Sequence, residues 1–213
     1  MKLILVGAPG AGKGTLSVPL KEKLGIPTIS TGDLLRDAIA NKTEEGLKAK
    51  KLMDEGKLVP TEVVFEMLKK RLQEPDAKNG YILDGFPRNL EQVKLLESYT
   101  DIDYVINIEV GLDVILERLL GRRVCPECKY IYNTAWGGDS KYCAKCGAEY
   151  IIRSDDNEET ITKRYKLFVE ETQPIIDYYD SLGKVINIKS AESSEVKKLA
   201  FEALEINDDN CKN

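Results

Sequence analysis

The 213-residue sequence predicts an α/β fold, with a mostly parallel sheet flanked by helices and two insertions. Two observations carry that expectation. Strand-length apolar runs alternate with segments of helical periodicity, the pattern of parallel strands joined by crossover helices. A glycine-rich loop also follows the first apolar run directly and opens a helix.

In chain order, Lys2 to Val6 is short, apolar and partly β-branched, and reads as a buried strand. Pro27 to Ile29 has the same character. Residues 30 to 72 are helical with no strand between them, and include a stripe at Val64, Met67, Leu68 and Leu72. Strands return at Tyr81 to Leu83 and Tyr104 to Ile108. Leu112, Ile115, Leu116, Leu119 and Leu120 then line one helical face. Residues 121 to 157 break the rhythm with four cysteines and frequent Gly and Pro. Asp155-Asp156-Asn157 starts a further helix, with Glu158 and Glu159 at the positive end of its dipole and Ile161, Tyr165, Phe168 and Val169 on its apolar face. The last strand is Lys184 to Ile188, and Asn207 to Asn213 is a polar tail expected to fray. The 30 to 72 and 121 to 157 segments both read as insertions into the core.

Composition limits the chemistry. The chain has 31 Lys and Arg, 36 Asp and Glu, five Cys and no His. Without imidazole there is no Ser/His/Asp hydrolase, no Cys/His protease and no HExxH metalloenzyme. A net charge of -5 and a pI near 5.1 argue against nucleic-acid binding through bulk electrostatics. No run approaches the ~18 apolar residues of a membrane span. The N-terminal run is too short for a signal peptide, so the cytoplasm is the expected compartment.

The strongest site signal is Gly7-Ala8-Pro9-Gly10-Ala11-Gly12-Lys13-Gly14-Thr15, between strand and helix. Glycines let the backbone fold around an anion, the helix N-terminus adds positive potential, and Lys13 supplies a mobile cation for β- and γ-phosphates. The sheet is therefore expected to be of the P-loop NTPase type. Gly14 follows the lysine, so Thr15 takes the hydroxyl role. Asp84 ends the third strand, at the ligand-binding edge of a parallel sheet, where it can hold Mg²⁺ directly or through water or serve as a turn acid. Arg36, Arg88, Arg118, Arg122, Arg123, Arg153 and Arg164 gather around the insertions and the Asp84 loop. Phosphoryl transfer needs such positioning and charge neutralisation rather than a proton-shuttling histidine. Taken singly, each arginine reads as a surface ion pair rather than a ligand, and Arg123 reads as structural. Arg118 and Arg122 are expected at i and i+4 on one helix, away from the leucine stripe.

Cys125-Pro126-Glu127-Cys128 and Cys143-Ala144-Lys145-Cys146 are two C-x-x-C pairs at close to zinc-ribbon spacing. Two disulfides compete, but a cytosolic setting disfavours them. Four thiolates leave no open position, so the metal is expected to be structural. Cys211 is left over as a free thiol.

With these residues assembled, nearly the whole chain, about 1 to 205, resembles adenylate kinase in its bacterial long-lid, zinc-carrying form. The matching motifs are GAPGAGKGT at 7 to 15, STGDLLR at 30 to 36, GKLVP at 56 to 60, DGFPRNLEQ at 84 to 92, ERLLGRR at 117 to 123, the four cysteines, and RSDDNEETITKR at 153 to 164. The resemblance implies a core of residues 1–29, 60–120 and 158–213, a helical AMP-binding insertion at 30–59 and a zinc-ribbon-like lid at 121–157. Gly10, Ala11, Gly12, Lys13, Gly14 and Thr15 would wrap the ATP phosphates, with Arg118, Arg122, Ile131 and Tyr132 completing that site. Thr31, Arg36, Lys57, Leu58, Val59, Gly85, Phe86, Pro87, Arg88 and Gln92 would hold AMP with Arg153 and Arg164, Gln92 reading the adenine edge. Arg88, Arg122, Arg153 and Arg164 would neutralise the phosphates in flight, Asp84 would anchor the Mg²⁺ shell, and Asp155 and Asp156 would make lid-hinge contacts with the arginines. Cys125, Cys128, Cys143 and Cys146 would bind structural Zn²⁺.

Three positions depart from the family pattern: Leu16 for Gln, Asn89 for Thr, and Asn133 where a Tyr-His pair is common. The first two are expected to flank the nucleotide and monophosphate sites. The implied reaction is reversible in-line transfer from MgATP to AMP, giving two ADP, by a monomer whose partners are ATP, AMP and ADP, with no nucleic acid or membrane. Alternatives are a kinase for another monophosphate, a P-loop ATPase with a zinc-ribbon binding module, or a non-catalytic nucleotide sensor.

Overall fold

The computed structural model describes residues 1–206, apart from the side chain of Trp136. The predicted polar tail and Cys211 lie outside the described residues. Five parallel strands form the central sheet in the order β2-β3-β1-β4-β7, from β1 (Lys2–Val6), β2 (Thr28–Ser30), β3 (Tyr81–Asp84), β4 (Tyr104–Glu109) and β7 (Val185–Lys189). Each predicted strand is present, with ends shifted by one residue at most. Register pairs Leu5 with Asp84 and Ser30 with Asp84, so the glycine loop after β1 opens beside the acid that ends β3.

The two-residue alternation of the strands divides the core. Leu3, Leu5, Ile106, Ile108 and Ile188 point to one face, where α1 (Lys13–Leu24) and α10 (Ser193–Ala203) pack with Leu16, Leu20, Ala200 and Phe201. Ile4, Val6, Leu83 and Val105 point to the other, covered by α4 (Thr61–Leu72), α5 (Leu90–Tyr99) and α9 (Gln173–Ser181). Leu68 and Leu83 are wholly buried there, where truncation to alanine costs about 2–5 kcal/mol.

Between β2 and α4, α2 (Thr31–Ala40) and α3 (Glu44–Asp54) form a helical hairpin. Ser30 and Thr43 cap these helices by accepting the N–H groups of Asp33 and Gly46. The hairpin closes at Gly46, where a Cβ would lie 2.3 Å from the Ala38 carbonyl. The second insertion is a small β unit in which β5 (Arg122–Val124) pairs antiparallel with β6 (Ile131–Asn133), followed by the single turn α7 (Thr134–Gly137). Its own core is Cys125, Cys143 and Tyr150, with Tyr130 and Tyr132 packed on it.

Two helical expectations are corrected. The helix α6 (Leu112–Leu120) ends at Gly121 and Arg122 begins a strand, so Arg118 and Arg122 do not share a helix face. Leu120, in its last position, is 47% exposed rather than part of the apolar stripe. In α8 (Glu158–Leu167), Ile161 is buried as expected, but the chain then widens into a π-helical turn at Phe168–Thr172. The extra residue per turn rotates the face, and Val169 is 48% exposed. Asn157, the last of the three residues read as a helix start, is the cap, accepting the Thr160 N–H at 2.9 Å.

The insertions meet across the cleft. Lys129 pairs with Asp37 at 2.8 Å, Ser154 donates to Asp54 at 2.6 Å, and Arg153 lies 3.6 Å from Asp33.

Candidate active site

The loop after β1 curls around the Lys13 ammonium, which donates to the Gly7 and Ala8 carbonyls at 2.7 and 3.1 Å. Gly12 stands at the N-cap of α1 with φ +108° and no side chain caps that helix, so its positive end is presented to the cavity. Gly10 lies so close to α6 that a Cβ would sit 2.9 Å from Leu119 Cγ. These are the features of an anion cradle. The loop, Thr15, Asp84, Arg88, Arg118, Arg122, Ile131, Arg153 and Arg164 line a cavity of about 470 Å³.

A smaller cavity of about 60 Å³ adjoins it, lined by Thr31, Arg36, Lys57, Leu58, Val59, Gly85, Gln92 and Asp155. Gly56, Leu58, Gly85, Arg88 and Arg164 belong to both cavities and form their common wall. Thr31 donates to the Gly85 carbonyl at 2.8 Å, joining α2 to the loop after β3. Asn89 caps α5 by accepting the Gln92 N–H, and Gln92 Oε1 accepts the Arg88 N–H at 2.8 Å. The Gln92 NH₂ is thereby the group left for a ligand.

Cations outnumber acids in this wall. Arg122 makes a two-pronged pair with Asp156 at 2.7 and 2.5 Å, and Arg164 pairs with Asp155 at 2.6 Å. Asp33 accepts from Arg36 and faces Arg153, whose Nε is buried without a partner. Burial lowers the Lys13 ammonium from its ordinary 10.5 to about 8; Asp84 opposes the shift, and Arg88, Arg164 and Arg122 add to it. Burial and then Arg164 bring Arg88 to about 10, and burial with Arg122 does the same to Arg153. Burial would raise the Asp155 carboxyl, but Arg164, Arg36, Arg122 and Arg153 together hold it below its usual value. A pocket whose cations repel one another across low-dielectric space is suited to a polyanion. The Asp84 carboxylate has no hydrogen bond or ion pair among the described residues, so its oxygens are free for a hard, hydrated cation.

Some predicted residues are not brought to the cavities. Phe86 is 1% exposed and stacks on Phe65, and Ala11 is buried against the α1 face of the sheet. Ile131 and Asn133 line the larger cavity, whereas Tyr132 alternates to the other face of β6, stacks on Tyr150 and donates to Gly138. Leu16 is a core residue, 3% exposed, so a carbon side chain suits its place better than an amide. Arg123 is structural as expected, binding Asp139 and nearby carbonyls. Sequence reasoning missed Asp33, which organises Arg36 and Arg153, and Thr172, which donates to the Arg88 carbonyl at 2.9 Å. Asp33 lies inside the quoted STGDLLR segment; Thr172 had no local signal, because the π turn that aims it is a tertiary feature.

The four lid thiols converge. All lie within 4.8 Å of one another, with Cys125 to Cys146 at 3.3 Å and Cys128 to Cys143 at 3.6 Å. Those separations are too long for disulfides and near the ~3.8 Å edge of a tetrahedron with 2.3 Å metal–sulfur arms. The Cys128 and Lys145 N–H groups donate to the Cys125 and Cys143 sulfurs, each at 3.4 Å. Burial opposes ionisation of Cys143, but the N–H groups of Lys145 and Cys146 outweigh it and bring the thiol down to about 6. The donor set fits a metal bound by thiolates.

Comparison with known proteins agrees with this geometry. The family model described as adenylate kinase matches residues 5–184. The chain is similar to an adenylate kinase of Caldicellulosiruptor saccharolyticus, 44% identical over 96% of this chain and 99% of the relative. It is likewise similar to those of Caldicellulosiruptor bescii, at 45% over 97% and 100%, and Archaeoglobus fulgidus, at 45% over 92% and 93%.

Proposed function

The chain belongs to the adenylate kinase family and transfers phosphoryl groups between ATP and AMP to give ADP, and from that premise we propose which residues do the work. The carrying observation is the wall shared by the two cavities, where Arg88 and Arg164 face both. The larger cavity takes ATP, its phosphates wrapped by Gly10 to Thr15, and the smaller takes AMP against Thr31, Arg36, Lys57 to Val59 and Gln92. The phosphoryl group then passes along the common wall, where Arg88, Arg122, Arg153 and Arg164 neutralise its equatorial oxygens. Lys13 leaves its carbonyl partners for the transferred phosphate. Asp84 and Thr15 would hold the Mg²⁺ that accompanies ATP, directly or through water, and the ion would supply charge neutralisation there.

In this reading residues 1–29, 60–120 and 158–213 are the core, 30–59 the AMP-binding insertion and 121–157 the lid. The lid metal is zinc, which four thiolates at tetrahedral spacing favour over harder ions. The enzyme works as a monomer in the cytoplasm. Supporting the compartment, the four lid thiols are free rather than joined in disulfides.

A coupled assay over a panel of nucleoside monophosphates and triphosphates tests the substrate assignment. ATP with AMP is expected to give the highest kcat/KM. Faster turnover of UMP, CMP or GMP, or phosphate release from ATP that ignores AMP, would reverse it.

A further inference from the structure

We propose that Asn133 is a positioning residue that sets Arg122 over the phosphate loop by tying the lid hairpin to the end of α6. The inference rests on the assignment of Arg122 to the ATP phosphates. Asn133 is only 4% exposed, although it stands where the lid leaves the core. Its amide serves both sides of that joint. Nδ2 donates to the Arg118 carbonyl at 2.8 Å, one of the last-turn carbonyls that an α-helix leaves without its own partner. Oδ1 accepts the Ala135 N–H at 2.9 Å and so caps α7.

Across the hairpin, Asn133 is the register partner of Arg122, and the next residue, Thr134, donates its N–H to the Gly121 carbonyl at 2.9 Å. A Cβ at Gly121 would lie 2.6 Å from Asn133 Oδ1, so the glycine leaves the amide room where it sits. Arg118 in turn grips the core: its guanidinium donates to the Gly10 and Ala11 carbonyls at 3.2 and 3.1 Å and to the Ala191 carbonyl. A continuous chain of contacts therefore runs from the phosphate loop through Arg118 and Asn133 to Arg122. The partner of Arg122, Asp156, belongs to the segment that closes the lid, so it cannot replace this tie to α6.

Lacking the amide donor, β5 pivots at Gly121 and Arg122 is held less firmly toward the donor phosphates. The test uses Asn133→Ala, Asn133→Asp, which keeps the size and the cap acceptor but loses the donor, and Asn133→His, which restores an N–H. Steady-state kinetics are run well below each variant's melting temperature, beside Arg122→Ala. Expected is a rise of about five- to tenfold in KM for MgATP in the alanine and aspartate variants, KM for AMP staying within about twofold, and recovery in the histidine variant. A loss of melting temperature with KM for MgATP unchanged overturns the proposal, as do equal rises for both substrates. If Arg122→Ala raises KM for MgATP and the Asn133 variants do not, the coupling alone falls. If Arg122→Ala changes neither KM nor kcat, the arginine assignment falls and takes the proposal with it. Should the alanine variant fail to fold, the aspartate and histidine pair gives the same decision.

Discussion

Lys13 concentrates the electrostatic problem of the site in one side chain. Its ammonium is buried among Arg88, Arg164 and Arg122 and brought to about 8, with Asp84 as counterweight. Because the folded value lies below the ordinary 10.5, the unfolded chain holds more protons between those values. The cost of burying the charge is therefore fully present below about pH 8 and is relieved as pH rises toward 10.5. The bound phosphates raise the lysine again, since an anion favours its charged form. Accordingly kcat/KM for MgATP, which reports the free enzyme, is expected to fall as pH rises through about 8 while kcat holds to higher pH. A Lys13→Arg variant with the same kcat/KM profile would show that another group is titrating. Lys13→Ala and Arg88→Ala are expected to lower kcat by about 100-fold or more with circular dichroism unchanged. Wild-type turnover in either would remove it from the transfer site. Two of the family departures are also explained at this scale. Asn89 caps α5 as threonine can, and so still positions Gln92, and Leu16 simply fills core.

At the scale of elements, the strands were legible because short β-branched and apolar runs between turns have few other uses. Helix ends were less so. The leucine period ran on through Leu120, but Gly121 stops α6 and lets the chain reverse into β5, which converts Arg122 from a helix residue into a strand residue facing the cavity. In the same way a widened turn after α8 takes Val169 off the apolar face and brings Thr172 to the Arg88 carbonyl. The lid is a different case, since its hairpins are short and its core is two cysteines and a tyrosine. So little apolar surface is a weak core for a β unit, so a metal held by the four thiols would contribute to its folding energy. One tightly bound zinc per chain is expected by elemental analysis. Its removal by a chelator should lower the melting temperature clearly while changing low-temperature activity little; a metal-free protein of unchanged melting temperature would contradict this.

Across the whole molecule, the two insertions reach over the edge of the sheet and touch through Lys129 with Asp37 and Ser154 with Asp54. Between them lies the cationic wall, so closure over both nucleotides would exclude water from the group in transit. ATP hydrolysis without AMP is therefore expected to run at least about 100-fold slower than transfer, measured as phosphate release; comparable rates would mean that the cover does not shield the phosphoryl group. The amino-acid sequence by itself determined the phosphate loop, the two pairs of thiols, the parallel sheet and the set of cations, because each is written in local spacing: glycines beside a lysine, paired C-x-x-C turns, strand-length apolar runs. Only the tertiary structure decided which arginines share a wall, which face of β6 meets the cavity, that Asp33 and Thr172 hold the others in place, and that Asn133 joins lid to core. Those outcomes depend on contacts between residues tens of positions apart, where the energy lies in how the elements meet and no local pattern records it.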